Sequence, residues 1–414
     1  MQLAKYSFGT GDRFGLQGDA QLAAITMARK AGVDLAIVWN KSQREHSIVG
    51  TVPADVRREA DEAVRAASGN IEYHVDADHI NLSNVEAFLA PCDFFTIDVA
   101  DYIGKKAPDA DIADFVVHFS GYNGQLEIDC ISEPLLITSR RLAAIGDKYL
   151  FAVQQAGAIY SHIAAKKGRG TFITEVSMDE TSEPQTPEEL FFILAALARQ
   201  GIPVQTIAPK FTGRFNKGVD YQGDVARFNQ EFSDDLAVIR RAVGDFGLPA
   251  DLKLSIHSGS DKFSIYPGIR RAMEKEKAGI HIKTAGTTWL EELIGLAEAG
   301  EESAELVKKI YAEAYGRFDE LCLPYATVID IDKEALPSPE TVAAWSHVRL
   351  ARAIRHDQRC ADYDRNLRQL LHVGYKVAAE LGDIYLQTLK KHHQVVARHV
   401  CDNLFDRHIT PLFL

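Results

Sequence analysis

A chain of 414 residues with 46% hydrophobic and 25% charged content has the composition of a folded globular protein, long enough for one large domain with additions or for two ordinary domains. Its formal charge of −12 argues against nucleic acid or an anionic membrane as a partner, since both would repel it. The five cysteines (Cys92, Cys130, Cys322, Cys360, Cys401) are scattered and never form a CxxC, the start "MQLAKYSFGTGDRFG" has no apolar signal core, and the longest apolar run, "FFILAALA", is too short to span a bilayer. A cytoplasmic protein is expected, with no membrane partner; self-association into a homo-oligomer stays open.

In chain order, β-rich segments fall at 4–10 ("AKYSFGT"), 34–39 ("DLAIVW"), 71–77 ("IEYHVDA") and 93–99 ("DFFTIDV"). Four more follow at 171–176 ("TFITEV"), 203–208 ("PVQTIA"), 252–257 ("LKLSIH") and 280–284 ("IHIKT"). Amphipathic helical patterns separate them, as at 20–32, 224–244 and 289–300. The helix after the fifth strand carries a start signal, "TPEEL", in which Thr186 can cap, Pro187 fits the first turn and Glu189 completes a capping box. Residues 101–131 are long for a strand-helix connection. The stretch "DFVVHFSGYNGQLEIDC" reads as a hairpin turning at Asn123-Gly124 and laid over one mouth of the fold.

Strict alternation of strand and helix allows a closed (β/α)8 barrel of the TIM type or a doubly wound open sheet, and the count of eight favours the barrel. Beyond residue 300 the β-pattern stops. Residues 1–300 are therefore expected to form a (β/α)8 catalytic barrel and 301–414 a C-terminal helical extension packed on it, with "LPSP" (336–339) as a joint.

A barrel of this kind builds its active site from the C-terminal ends of its strands. Here those ends read "GTGDR", "WNK", "DADH", "IDVAD", "TEVSMDE", "APKF", "HSGSDK" and "HIKTAG". His79, His257 and His281, from separate strands, with a carboxylate such as Glu175, would suit one divalent cation: zinc, manganese, nickel or similar. His74 and His118 read as ordinary structural histidines. Asp78 and Glu175 can act as a paired base and acid; Asp179 and Glu180 read as loop structure, and Asp98 as either. Arg13, Lys210 and Lys283 place positive charge at three strand ends of an acidic protein, as an anionic substrate group would need, although each can equally serve an internal salt bridge. "FGTGDRFG" does not keep the GxGxxG spacing, and there is no Walker A and no GxSxG.

Taken together, "SFGTGDRFG", "VDADHI", "FTIDVADYIG", "TEVSMDET", "APKFTGRFNKGVDYQGD", "LSIHSGSDKFSIYP" and "HIKTAGTTWLEEL" resemble the bacterial tagaturonate/fructuronate epimerase family over residues 6 to about 300. The resemblance implies a metal-dependent epimerase of hexuronate breakdown that interconverts D-tagaturonate and D-fructuronate. It implies a base at Asp78, a proton-transferring Glu175, and metal ligands at His79, His257 and His281. The epimerised carbon is β to the ketone, so deprotonating it gains no enolate stabilisation; retro-aldol cleavage and re-addition, or transient oxidation by a nicotinamide, would avoid that. Alternatives are a 4-epimerase of neutral ketohexoses such as tagatose and fructose, a metal-dependent aldolase or isomerase on the same barrel, and a sugar-acid-binding sensor without turnover.

Overall fold

A computed structural model describes residues 1–67, 71–284 and 286–414. Eight parallel strands close into a barrel: β1 (Tyr6–Thr10), β2 (Leu35–Ser42), β3 (Tyr73–Ile80), β4 (Phe94–Asp98), β5 (Ile173–Ser177), β6 (Thr206–Ala208), β7 (Lys253–His257) and β8 (Ile280–Lys283). Each strand neighbours the next in sequence, and β8 closes on β1 with Tyr6 opposite Ile280 and Gly9 opposite Lys283. The eight expected strands are all present, and the closed barrel is the one expected.

The expected helices follow for the reasons the sequence suggests. Helix Pro187–Arg199 starts with the capping box: Glu189 N–H donates to Thr186 Oγ1 at 3.2 Å, and Thr186 N–H donates to Glu189 Oε2 at 2.9 Å. The large core lies between strands and helices, whereas the interior of the barrel holds only a small apolar plug of Leu3, Ala36, Val38, Phe94 and Ile173. Above that plug the inward positions turn polar.

One expectation fails. Asp109–Phe119, within the supposed hairpin, is an α-helix; its Ile112, Phe115 and Phe119 recur at helical spacing and are buried. A hairpin does exist, pairing Gly124–Leu126 with Leu135–Ile137, so Gly124 begins a strand instead of forming the turn. It does not cover the mouth. Arg240 and Arg241, in the last turns of helix Val225–Phe246, donate to the carbonyls of Asp129 (3.0 Å) and Glu127 (3.2 Å), which holds the loop at the opposite end of the barrel.

After helix Thr287–Glu298 every remaining regular element among the described residues is helical. That helix is buried on all sides, because the later helices wrap it. Its Glu291 accepts from Asn403 (3.0 Å), Glu292 from Tyr385 (2.8 Å), and Trp289 donates to the carbonyl of Leu371 (2.7 Å). Asp261, in the loop after β7, accepts from Arg368 at 2.7 Å, His408 at 3.0 Å and His356 at 3.1 Å. No described helix is long and apolar enough to cross a membrane.

His74, low in β3, illustrates a histidine with a structural role. Its Nδ1 meets Asp93 at 3.3 Å and its Nε2 meets Glu72 at 3.2 Å. Burial alone would lower its pKa, but the two carboxylates outweigh it and push the pKa up to about 9. A pKa raised on folding stabilises the fold fully below about 6.5, and the gain is lost as pH rises through about 9. Urea midpoints of wild type and His74→Gln should therefore differ by about 1–3 kcal/mol at pH 6 and converge by pH 9.5; a gap independent of pH would mean that His74 folds uncharged.

Candidate active site

The strand pleat accounts for most of the site. Asp76 and Asp78 lie two residues apart on β3 and share its inner face, as do His281 and Lys283 on β8. His79 would by alternation face outward. Register slips between Ala77 and Ile80 where β3 meets β4, and His79 adopts φ 52°, a left-handed conformation uncommon for a residue with a Cβ. This irregularity brings the imidazole round to the mouth, where it stands edge-on to His257 with ring centroids 5.2 Å apart.

Lys283 is the centre of the acid group. Its ammonium lies 2.7 Å from Asp76, 2.7 Å from Asp78 and 3.3 Å from Glu175, and it donates to Thr96 Oγ1 at 2.8 Å. Thr96 in turn contacts Asp76 at 2.9 Å and Glu175 at 3.2 Å. Gly9 makes room for this, since a Cβ there would stand 2.9 Å from Lys283 Cγ and 3.1 Å from Asn40 Nδ2. Burial lifts Asp76 to about 6 despite the lysine, whereas in Asp78 the lysine and then His79 overcome burial and pull the carboxyl down to about 2. Glu175, wholly buried, is also held well below its ordinary range against burial, by Lys283 and then His257. Lys283 is thus committed to three carboxylates of its own chain. The expectation that it grips a substrate anion is not supported by this placement.

His79, Asp179 and His257 form the one group of described residues suited to hold a cation, each offering a ligand atom within 4.8 Å of the others. The outward-facing nitrogens are organised as metal sites usually organise them. His79 Nδ1 meets Asp98 at 3.0 Å, and His257 Nε2 meets Glu175 at 2.7 Å. That leaves His79 Nε2 without a hydrogen bond among the described residues, 3.9 Å from Asp78, while His257 Nδ1 is buried without a hydrogen-bond partner among them, 3.2 Å from Asp179 but poorly aligned with it. An orphaned imidazole nitrogen facing a carboxylate and a second imidazole fits a divalent cation. The surrounding acids outweigh burial and raise both imidazoles: His79, chiefly through Asp78, well above its ordinary value, and His257, chiefly through Asp179, to about 9.

His281 does not join this group. It lies one inward layer deeper, fully buried, with Nδ1 on Ser7 at 2.9 Å and its ring 5.2 Å from that of Phe94. Burial lowers its pKa to about 3, so it stays neutral beneath the acids. Asp179, read from sequence as loop structure, takes its place among the candidate ligands, held by a hydrogen bond from Ser177. Asp98 orients His79. Arg13 is spent on Glu45 at 3.1 Å and stacks on Tyr375, its guanidinium 4.0 Å from the ring centre. Lys210 follows β6 and makes no ion pair among the described residues; its backbone N–H donates to Gln185 at 2.7 Å. Sequence reading missed Thr96, Asn40 and Lys217. Of these, Asn40 carried the only legible signal, an amide at a strand end.

A barrel with acids and imidazoles gathered at the C-terminal ends of its strands is the framework of an enzyme acting on a small polar substrate. The family model for UxaE, tagaturonate epimerase, matches residues 1–410, and the chain belongs to that family; it is an isomerase. The tagaturonate/fructuronate epimerase of Thermotoga maritima is 29% identical over 418 residues, covering 95% of this chain and 79% of that protein. Two glycerol-complexed crystal structures of fructuronate-tagaturonate epimerase UxaE from Cohnella laeviribosi share the fold. Their TM-scores are 0.81 and 0.82 at 23% and 22% identity, covering 98% and 100% of this chain and 81% and 83% of theirs.

Removing the Lys283 ammonium would leave three buried carboxylates without a cation among them. Breaking such a buried pair typically costs about 3–5 kcal/mol. Lys283→Met should lose about that much stability at pH 7.5 by urea denaturation, and less at pH 5.5, where Asp76 takes up a proton. A loss below about 1 kcal/mol at both pH values would mean that the acids are screened in another way.

Proposed function

We propose that this protein interconverts D-tagaturonate and D-fructuronate in the cytoplasm, using one divalent cation held by His79, Asp179 and His257. Family membership carries the substrate reading, since both substrates are in the name of the Thermotoga maritima relative. The orphaned His257 Nδ1, set between Asp179 and His79, carries the cation reading. When bound, the cation supplies Lewis-acid polarisation of the substrate carbonyl. We take residues 1–300 as the catalytic barrel and 301–414 as an extension packed on it; the buried contacts of helix Thr287–Glu298 with later helices support that division.

The remaining chemistry falls to the chain's own side chains. In a retro-aldol route, a carboxylate takes the proton from the hydroxyl on the carbon β to the ketone. The adjacent C–C bond breaks, leaving an aldehyde and an enediolate. The aldehyde turns its other face, the bond re-forms, and the proton returns to the new alkoxide. Asp78 and Glu175 are both held below their ordinary range, share Lys283 and border the cation group, which supports our assignment of both as acceptors of a hydroxyl proton. Lys283 keeps the second carboxylate charged while the first is protonated, which lets the proton come and go without moving any other group.

Two experiments test this. Purified enzyme should convert tagaturonate to fructuronate only with divalent metal present, and His79→Ala and His257→Ala should each lose metal by well over tenfold in affinity. Full metal occupancy in both variants would remove the cation assignment. In D₂O the epimerised carbon should acquire no deuterium, because in this route it keeps its hydrogen throughout; denatured enzyme should release no nicotinamide absorbance, which separates the route from transient oxidation. Stoichiometric deuterium at that carbon would rule out retro-aldol cleavage and leave the barrel and the cation group standing.

A further inference from the structure

An anionic substrate needs a cation at the mouth that the protein has not already neutralised. Arg13 is paired with Glu45, and Lys283 with three carboxylates. Lys210 and Lys217, both in the loop after β6, are different: among the described residues neither ammonium makes a hydrogen bond or ion pair, and that of Lys217 lies 5.9 Å from the centre of the Tyr325 ring. Lys217 borders the site, because a Cβ on Gly259 would stand 3.7 Å from its Nζ, and Gly259 N–H donates to the carbonyl of Lys283 at 3.2 Å.

The loop that carries Lys217 is fixed from several sides. Lys262 donates to the carbonyls of Asn216 (3.0 Å) and Val219 (2.8 Å), and Arg368 to that of Gly218 (2.6 Å). Gly218 N–H donates to Ser260 Oγ at 2.9 Å, and Lys217 N–H to the carbonyl of Val328 at 2.8 Å. These bonds hold the backbone around Lys217, while no carboxylate among the described residues pairs with its ammonium.

A second unused group adjoins it. His372, from the extension helix Arg365–Val373, is 1% exposed, and neither ring nitrogen has a hydrogen-bond partner among the described residues. A Cβ on Gly286 would stand 2.1 Å from His372 Nε2, and one on Gly218 would stand 3.4 Å from its Cβ. Gly286 N–H in turn donates to the carbonyl of Gly259 at 3.0 Å, so glycines 218, 259 and 286 let Lys217 and His372 close in on the same corner. Buried polar groups in native proteins almost always find a partner, so a buried imidazole without one, beside a half-buried ammonium without a carboxylate, points to a ligand.

We infer that Lys217 and His372 form the subsite that reads the substrate carboxylate, Lys217 by charge and His372 by a hydrogen bond from its ring. The inference rests on the hexuronate reading above. It also gives the extension a role in specificity, since His372 and Tyr325 both come from it.

The test uses the full-length, metal-loaded enzyme, with tagaturonate turnover followed alongside calorimetric binding of tagaturonate. Lys217→Met should raise KM and Kd at least about tenfold, with kcat within about threefold and the melting temperature unchanged. Lys217→Arg should recover most of that loss, and His372→Leu should weaken binding in the same direction. A Lys217→Met enzyme with KM and Kd within threefold of wild type overturns the inference, as does a loss confined to kcat. Absence of turnover in wild type would instead overturn the epimerase reading, while calorimetry still reports whether Lys217 holds the hexuronate.

Discussion

A single ammonium group lets the catalytic end of this barrel exist. Asp76, Asp78 and Glu175 meet within hydrogen-bonding reach of one another's partners in a region almost closed to water. Carboxylates so close cannot all ionise unless a cation stands among them. Lys283 is that cation, and its position follows from strand order: β8 closes the barrel against β1, and Gly9 leaves the gap across which the lysine stem passes. The apolar plug below, built on Phe94 and Ile173, keeps the acids near the mouth. Even with the lysine, negative charge is in excess, and it raises the pKa of the two imidazoles at the rim.

The acid–base poise of the site therefore depends on a shared partner. Asp78 and Glu175 are both pulled below their ordinary range, while Asp76, tied to the same lysine, is lifted by burial. As pH falls Asp76 is the first of the trio to be protonated, while Asp78 and Glu175 stay available as anions. That asymmetry comes from depth and from the histidines near Asp78 and Glu175, since the three residues have the same chemistry.

Much of this was legible in the sequence, for identifiable reasons. Strand period, β-branched runs and turn residues locate all eight strands, and barrel geometry makes their ends converge, so Asp78, His79, Glu175, His257 and Lys283 emerge together. Which neighbour satisfies which group is not encoded in period. Lys283 looks like a free cation until closure of β8 on β1 places it beside β3 acids some two hundred residues away. Asp179 looks like a loop acid because nothing local shows that the chain turns it back toward His257. His281 has the residue type of a ligand but the wrong height in its strand, two residues below Lys283. "DFVVHF" mixes β-branched and aromatic residues, which suit a strand, with a helical spacing that only packing brings out.

The extension belongs to the same electrostatic design. Asp261 is fully buried and held well below its ordinary range by Arg368 and by His356 and His408, all from residues beyond 350, with burial opposing them. Detaching those helices would strand a buried charge, which is far more costly than losing a surface contact. Asp261 lies four residues past His257, and Arg368 four before His372. The same contact that anchors the extension therefore sets the distance between the histidine that borders the acids and the wall of the mouth. The helices after residue 300 thus share a buried charge with the loop that follows His257, and their packing is tied to the geometry of that end of the barrel.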